Sequence, residues 1–498
     1  MEVAEQLKDD LRKGRLQPER LADLYVASQR DLLSAKQRIA ELEKQLGGSS
    51  TPKVDEPFSL RSEERRQDAR GKKKRKPTRK GRRGRFTTAD KVAQAERAED
   101  VVPDGVSKGD CQLSHTRPVW RLEQGRAVLV AYHIYRGPNN RYGKIPGVLG
   151  RSEFGLEIVV AIAYLVYIVG LSFDKVCLVF NFFEHLKLSK SQADALLHQL
   201  ARHWETEFEI LCTLLANSAV VHADETSWSL NSVWAFLSEK ARVLFFGVHK
   251  DASTLKQVLD PATFAGTVIS DDAAVYRNFT RSQKCWAHLL RKAIKLTLQD
   301  PDDPDYRRFA DRLLAIYREA CRVQRDGRLG DAGRTRKVAA LDDEIFALCE
   351  PLWGAGAPPV EEPDQDYRRL INELMRLMIA QELFPFVTAE SVAQPNGVAQ
   401  SVGATNNEAE RTLRGSSQAR KTGRTNKTLV GARRQTIVTS VLESLRLYLP
   451  TFTLSGVLAE IRRWTQTGRS CFTELLETLK IPPPEESVLD RVLPQPSG

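Results

Sequence analysis

The spacing of apolar residues changes character several times along the chain, and each change predicts a different element. Leu32, Ala35, Ile39, Leu42 and Leu46 step by three and four, the seam of a short coiled coil or of an amphipathic helix packed on its own protein. Residues 47–100 hold Gly-Gly-Ser-Ser, prolines and dense charge with few apolar side chains, a composition that predicts a flexible linker. The apolar run 158–171 is shorter than the roughly 20 residues a membrane span needs and predicts a buried helix. Two helices follow, one over 172–180 and one from Ser189 after the turn-like 185–188. Such a pair suits a helix-turn-helix whose second helix reads a DNA groove, or a purely structural hairpin.

Beyond Ala219 the texture becomes that of strands. Short apolar runs at 219–224, 233–237 and 243–248 sit at hairpin distances, a helical stretch covers 252–259, and strands are expected at 267–270 and 284–288, the last feeding a helix near Leu289. Three strands, a helix and two strands predict an α/β fold on a mixed sheet with helices on its faces. Residues 301–395 read as a helical insertion broken by Pro and Gly at 354–363, and 482–498 as a loose tail. The predicted organisation is an amino-terminal helix (1–46), a basic linker (47–100), a helical helix-turn-helix-like region (151–215), the first part of a sheet core (216–300), the insertion (301–395), the last helix of the core (396–448) and a helical tail (449–498).

Asp224 and Asp271 each stand at the carboxyl end of a predicted strand, and Glu410 lies early in a basic helix within Thr405-Asn406-Asn407-Glu408-Ala409-Glu410-Arg411-Thr412-Leu413-Arg414. Thr405 reads as the N-cap and Glu408 as its capping-box partner, which leaves Glu410 without a structural task. Three carboxylates brought together repel and raise at least one pKa, whereas a divalent cation keeps all three ionised. Mg²⁺ or Mn²⁺ suits such oxygen donors, and two ions about 3.5–4 Å apart serve an in-line displacement at a phosphodiester. Spacing alone also allows the aspartates to end strands or cap turns and Glu410 to pair with Arg414. Glu225 and Asp272 are the neighbouring acids, and in regular strands they point to the opposite face.

The formal net charge of +11 favours a polyanionic partner, and between Lys72 and Arg85 most residues are Lys or Arg. Lys72, Lys73, Lys74 and Arg75 are therefore candidate phosphate contacts on a mobile arm. Seven cysteines without paired spacing suit reduced thiols. No apolar core with a cleavage site follows Met1, so a cytoplasmic protein without membrane contact is expected.

Taken in order, Asp224-Glu225-Thr226, Ser270-Asp271 with Tyr276, Cys285-Trp286-Ala287-His288 and Asn406-Asn407-Glu408-Ala409-Glu410-Arg411 resemble the motifs of the insertion sequence 66 family of DDE transposases, over roughly 171–448. The resemblance implies an RNase H-like catalytic fold with a helical insertion before the last acid, and Asp224, Asp271 and Glu410 as a metal-binding catalytic triad. It implies cleavage at the ends of a mobile element and strand transfer into target double-stranded DNA, by a homo-oligomer, in many relatives with small accessory proteins. His288 is a candidate neighbour of the metal or of a phosphate, or a satisfied structural histidine; Arg291, Lys292, Arg411 and Arg414 are candidate phosphate contacts. Trp228, Trp234 and Trp286 are stacking platforms or core aromatics. Relatives carry a cysteine-rich zinc-binding segment that residues 101–150 retain only as Cys111 and His115, and Cys285 with His288 is too sparse a pair for zinc, which puts zinc in doubt. Thr405 replaces the usual acid before the paired asparagines and Asp272 a common glycine; neither removes a triad carboxylate. A catalytically silent DNA-binding relative and a nuclease without strand transfer are the alternative readings.

Overall fold

The computed structural model describes residues 87–353, 364–390, 392–393, 399–400 and 402–494, together with Ser34. The expected coiled coil at 1–46, most of the basic linker with Lys72, Lys73, Lys74 and Arg75, and the break at 354–363 lie outside the described residues. The end of the expected linker is ordered instead. Thr87 caps α1 (Thr88–Ala93) by accepting from the Asp90 amide, and Asp90 accepts in return from the Thr87 amide. β1 (Arg97–Val101), β2 (Gln112–Glu123) and β3 (Arg126–Arg136) then form a sheet in the order β1-β3-β2. The charges that suggested a linker are used in pairs: Arg97 forks onto Glu123 with bonds of 2.7 and 2.6 Å. Val101, Val119, Val128, Val130, Tyr132, Ile134 and Ile145 close a small core of their own. Cys111 and His115 belong to no group of three metal-type side chains among the described residues.

The apolar run becomes α2 (Leu156–Ala163), continued by a π-helical turn over 164–168, with Ile158, Val159 and Ile162 fully buried. Ser172 caps α3 (Phe173–Phe183), and Ser189 forms a capping box with Gln192 at the start of α4 (Lys190–Ala216). α4 runs 27 residues, longer than the short second helix expected. It buries Leu196, Leu197, Leu200, Trp204, Phe208, Leu211 and Leu215 in the main core, a stripe at helical spacing that packs one face of the helix.

The central sheet contains β4 (Val220–Ser227), β5 (Ser232–Ser238), β6 (Arg242–Val248), β7 (Thr267–Ser270) and β8 (Ser282–Lys284), in the order β6-β5-β4-β7-β8, with α5 (Ala252–Val258) between β6 and β7. β5 is antiparallel to both neighbours, whereas β4, β7 and β8 run parallel. The last strand stops at Lys284, short of the expected 288. Cys285 takes an extended N-cap conformation and α6 (Trp286–Gln299) begins at once.

The insertion comprises α7 (Pro304–Arg325), α8 (Asp331–Cys349), α9 (Asp364–Ile379) and α10 (Pro385–Thr388). It has a core of its own, with Leu313, Ile316, Leu341, Ile345, Leu370 and Leu374 packed beside Trp286. A two-residue hairpin, β9 (Val392–Ala393) with β10 (Ala399–Gln400), leads to α11 (Asn407–Lys421), α12 (Leu429–Tyr448), α13 (Leu454–Thr467), α14 (Cys471–Thr478) and α15 (Val488–Val492).

The free edge of β6 is covered by α12 through hydroxyls. Ser444, Ser440 and Thr436 accept from the amides of Arg242, Leu244 and Phe246 at 2.9, 2.9 and 3.0 Å. Four helical residues advance about 6 Å and two strand residues about 6.8 Å, so the two periods stay in step along the pairing and the edge is closed to other strands. The described part of the tail expected to be loose is held: Leu489 is fully buried, and Glu209 accepts from the Ser487 hydroxyl and the amides of Val488 and Leu489. Trp228, Trp234 and Trp286 are all buried and serve as core aromatics. Among the described residues no helix is long and apolar enough to cross a membrane.

Candidate active site

β4 and β7 run parallel with His222 opposite Ile269. Asp224 and Asp271 each lie two residues farther along, so the paired strands deliver both carboxylates to the same end and the same face of the sheet. Val221, Ala223 and Val268 point into the main core; the intervening His222, Asp224, Ile269 and Asp271 therefore turn to the face where α11 crosses β4 and β5. Glu410 stands in the first turns of α11, and its amide donates to the Asn406 carbonyl at 3.2 Å.

The start of α11 differs from the capping box read in the sequence. Asn406, not Thr405, is the N-cap, and it makes no side-chain cap bond. Its buried amide group instead donates to the Ala223 carbonyl at 2.8 Å and meets His222 Nδ1 at 3.2 Å. Its backbone amide donates to Cys285 Sγ at 3.1 Å. One residue thus fastens the helix of Glu410 to the strand of Asp224 by its side chain and to the residue after β8 by its backbone amide. Glu408, released from capping, pairs with Arg242 at 2.6 Å.

Several acids crowd around Asp224. Burial pushes the Asp224 carboxyl up to about 7, and the charges of Glu225, Asp271 and Glu410 add to it, against a hydrogen bond from the Glu225 amide. Glu410 Oε1 is met by Arg291 Nη2 at 2.9 Å and lies 3.6 Å from His288 Nδ1. It does not pair with Arg414. Burial, then the nearby Arg291, lowers the His288 pKa, opposed by Glu410 and Asp271. Asp271 Oδ1 accepts from the Ala273 amide at 3.0 Å.

The neighbouring acids face elsewhere. Glu225 accepts from the buried Tyr276 hydroxyl and pairs with Lys250 at 2.7 Å; Asp272 pairs with Arg376 at 2.5 Å. Among the candidate cations, Lys292 is held by both oxygens of Glu373 at 2.6 Å, Arg411 bonds the Asn407 carbonyl at 3.2 Å, and Arg414 is exposed with no bond among the described residues.

Several site-side groups escaped the sequence reading. Lys284 is buried, its ammonium 3.4 Å from the Ser270 hydroxyl, and burial lowers its pKa, with Glu382, Asp272 and Asp271 opposing. The polar run Ser282-Gln283-Lys284 forms the strand just ahead of the expected 284–288, and all three are buried, which polar residues tolerate only with partners. Asn406 carried no signal beyond its place in a motif.

No curated protein matches the chain. Residues 151–434, which span the central sheet, the insertion and all three acids, match the model of the IS66 transposase family; this is more than half of the 498 residues, and the chain belongs to that family.

Proposed function

We propose that the protein is a DDE-type DNA transposase that cleaves the ends of a mobile element and joins the freed 3′-hydroxyl to target DNA at one site. The reading is carried by the register of β4 with β7, which puts Asp224 beside Asp271, and by the charge of Glu410 acting on Asp224 from α11. The strand order β6-β5-β4-β7-β8 with β5 antiparallel supports an RNase H-like core. The donor set fits a hard divalent cation. Three carboxylates meet where ionisation of one is already opposed, and a protein cation, Arg291, sits on Glu410. Asp224, Asp271 and Glu410 would hold one or two Mg²⁺ or Mn²⁺ ions, which when bound acidify the attacking water or hydroxyl and stabilise the leaving oxygen.

The chain's own residues do the positioning. The paired strands fix the two aspartates, and Asn406 sets the height of Glu410 above them. Arg291 on α6, which meets Glu410, and the exposed Arg411 and Arg414 on α11 carry guanidinium groups that suit phosphate oxygens. Joining two element ends requires at least two active sites in one complex, so the protein works as a homo-oligomer in the cytoplasm, with accessory proteins where the element supplies them.

The test is purified protein on labelled element-end DNA with Mg²⁺ or Mn²⁺. Cleaved and joined products that vanish in Asp224→Ala support transposition. Cleavage without joining would identify a nuclease, and DNA binding without products, with the proteins encoded beside the element also present, a silent relative; either result overturns the proposal.

A further inference from the structure

We propose that Cys285, His288 and Glu410 form a binding site for a thiophilic divalent cation, zinc above all, whose occupation withdraws Glu410 from the two aspartates. Cys285 and His288 alone are too few for such a site, and the fold supplies the third ligand. Cys285 is the N-cap of α6 and His288 stands in its first turn, while α11 brings Glu410 across from a distant part of the chain. One sulfur, one imidazole nitrogen and one carboxylate oxygen lie within 4.8 Å of one another, close enough for small side-chain rotations to close them on a single ion.

Two observations point to a ligand here. His288 Nδ1 is shielded from solvent yet has no hydrogen-bond partner, although buried polar atoms are ordinarily satisfied; a neutral imidazole nitrogen in that state is a ready metal donor. The Cys285 sulfur is buried and accepts from the Asn406 amide; burial raises its pKa and this hydrogen bond opposes the rise, so the thiolate a metal requires has a donor already in place.

The donor set also separates this site from its neighbour. Asp224, Asp271 and Glu410 are all oxygen and suit a hard ion; sulfur, nitrogen and one oxygen suit zinc, with a fourth position left for water. Glu410 belongs to both sets, so the two cations compete for one carboxylate. Arg291, now 2.9 Å from it, must give way to either.

The binding half of this inference stands apart from the proposed reaction; the withdrawal half rests on it. The test uses the full chain, stripped with a chelator and titrated with Co²⁺. A thiolate-to-cobalt charge-transfer band in the near ultraviolet, displaced by Zn²⁺ and lost in Cys285→Ser, is expected. No band in the wild type, or an undiminished band in Cys285→Ser, overturns the site. Should Cys285→Ser fail to fold by circular dichroism, His288→Ala, at a partly exposed position, decides in its place: cobalt affinity should fall by about tenfold or more, and unchanged affinity overturns the site. In the Mg²⁺-supported cleavage assay, Zn²⁺ should slow the wild type and added Mg²⁺ should restore the rate. A cobalt band with no Zn²⁺ effect on cleavage removes the withdrawal half. A cobalt band in a protein that cleaves nothing with Mg²⁺ or Mn²⁺ removes the proposed reaction and the withdrawal half with it, and leaves the binding site standing.

Discussion

Asp224→Asn should stabilise the metal-free protein at high pH while abolishing its chemistry. The Asp224 carboxyl is displaced from 3.8 to about 7 by burial and by the charges of Glu225, Asp271 and Glu410. The folded state therefore binds this proton more tightly than the unfolded chain. The sign follows from proton linkage: the group costs nothing below its unfolded pKa, and stability falls as pH rises from there to the folded value, then stays low. At about 1.4 kcal/mol per pH unit the full displacement amounts to roughly 4 kcal/mol, and solvent reaching a half-buried carboxylate reduces this to about 2–4 kcal/mol. Asparagine has nothing to ionise, so the variant escapes the loss. For a folded unit of this size the gain corresponds to a melting midpoint roughly 2–5 °C higher. Thermal melts in chelator at about pH 4 and about pH 9 should show the two proteins nearly equal at the lower value and the variant ahead at the higher. Saturating Mg²⁺ should shrink the difference, because a cation favours the ionised carboxylate. A pH-independent difference, or a wild type ahead at the higher pH, would refute the reasoning that three acids meet at Asp224.

Asn406→Ala removes the donor to the Ala223 carbonyl and leaves that group without its bond, at a cost of roughly 1–3 kcal/mol; turnover should fall while DNA affinity, measured by gel shift, holds. Replacing Arg291 and Arg414 together with alanine should lower the slope of binding against salt by about one for each phosphate no longer neutralised, equally for any DNA sequence; an unchanged slope would take both residues out of the interface. Ser440→Ala deprives the buried Leu244 amide of its acceptor and should destabilise the protein by roughly 1–3 kcal/mol in urea melts, with little change in the pH profile of activity.

How much of this was legible in the sequence depends on how local the cause was. The alternation Val221, Ala223 in and His222, Asp224 out is a two-residue pattern, and by it Glu225 turns to Tyr276 and Lys250, although its charge still acts on Asp224. The helix starts near Ser172 and Ser189 were visible because they too are local. Of the amino-terminal sheet, β1 was hidden because the charges up to residue 100 looked like solvated linker until Arg97 found Glu123, and the tail was hidden because Leu489 is held by Glu209, distant in the chain. Thr405 was a plausible cap by local chemistry. The choice of Asn406 follows from a hydrogen bond to a residue 183 positions away, which no local pattern contains.

That long-range bond explains how an insertion can separate Asp271 from Glu410 without loosening the site. Bringing together two ends of a flexible loop costs entropy that grows with its length, but this excursion has its own apolar core and behaves as a folded spacer. Its exit is stitched to the end of β8. The Lys284 amide donates to the Glu382 carbonyl at 2.9 Å, the Trp286 amide to the Ala404 carbonyl at 3.1 Å, and the Trp286 indole to the Leu383 carbonyl at 2.6 Å. Gln283 reaches the Leu383 carbonyl and accepts from the Phe386 amide. The chain therefore leaves and re-enters the sheet at one seam, and Asn406 stands at its end. The insertion thus touches the site at two places: at Glu410 through that seam, and at the end of β7 through the pair of Arg376 with Asp272, the residue next to Asp271.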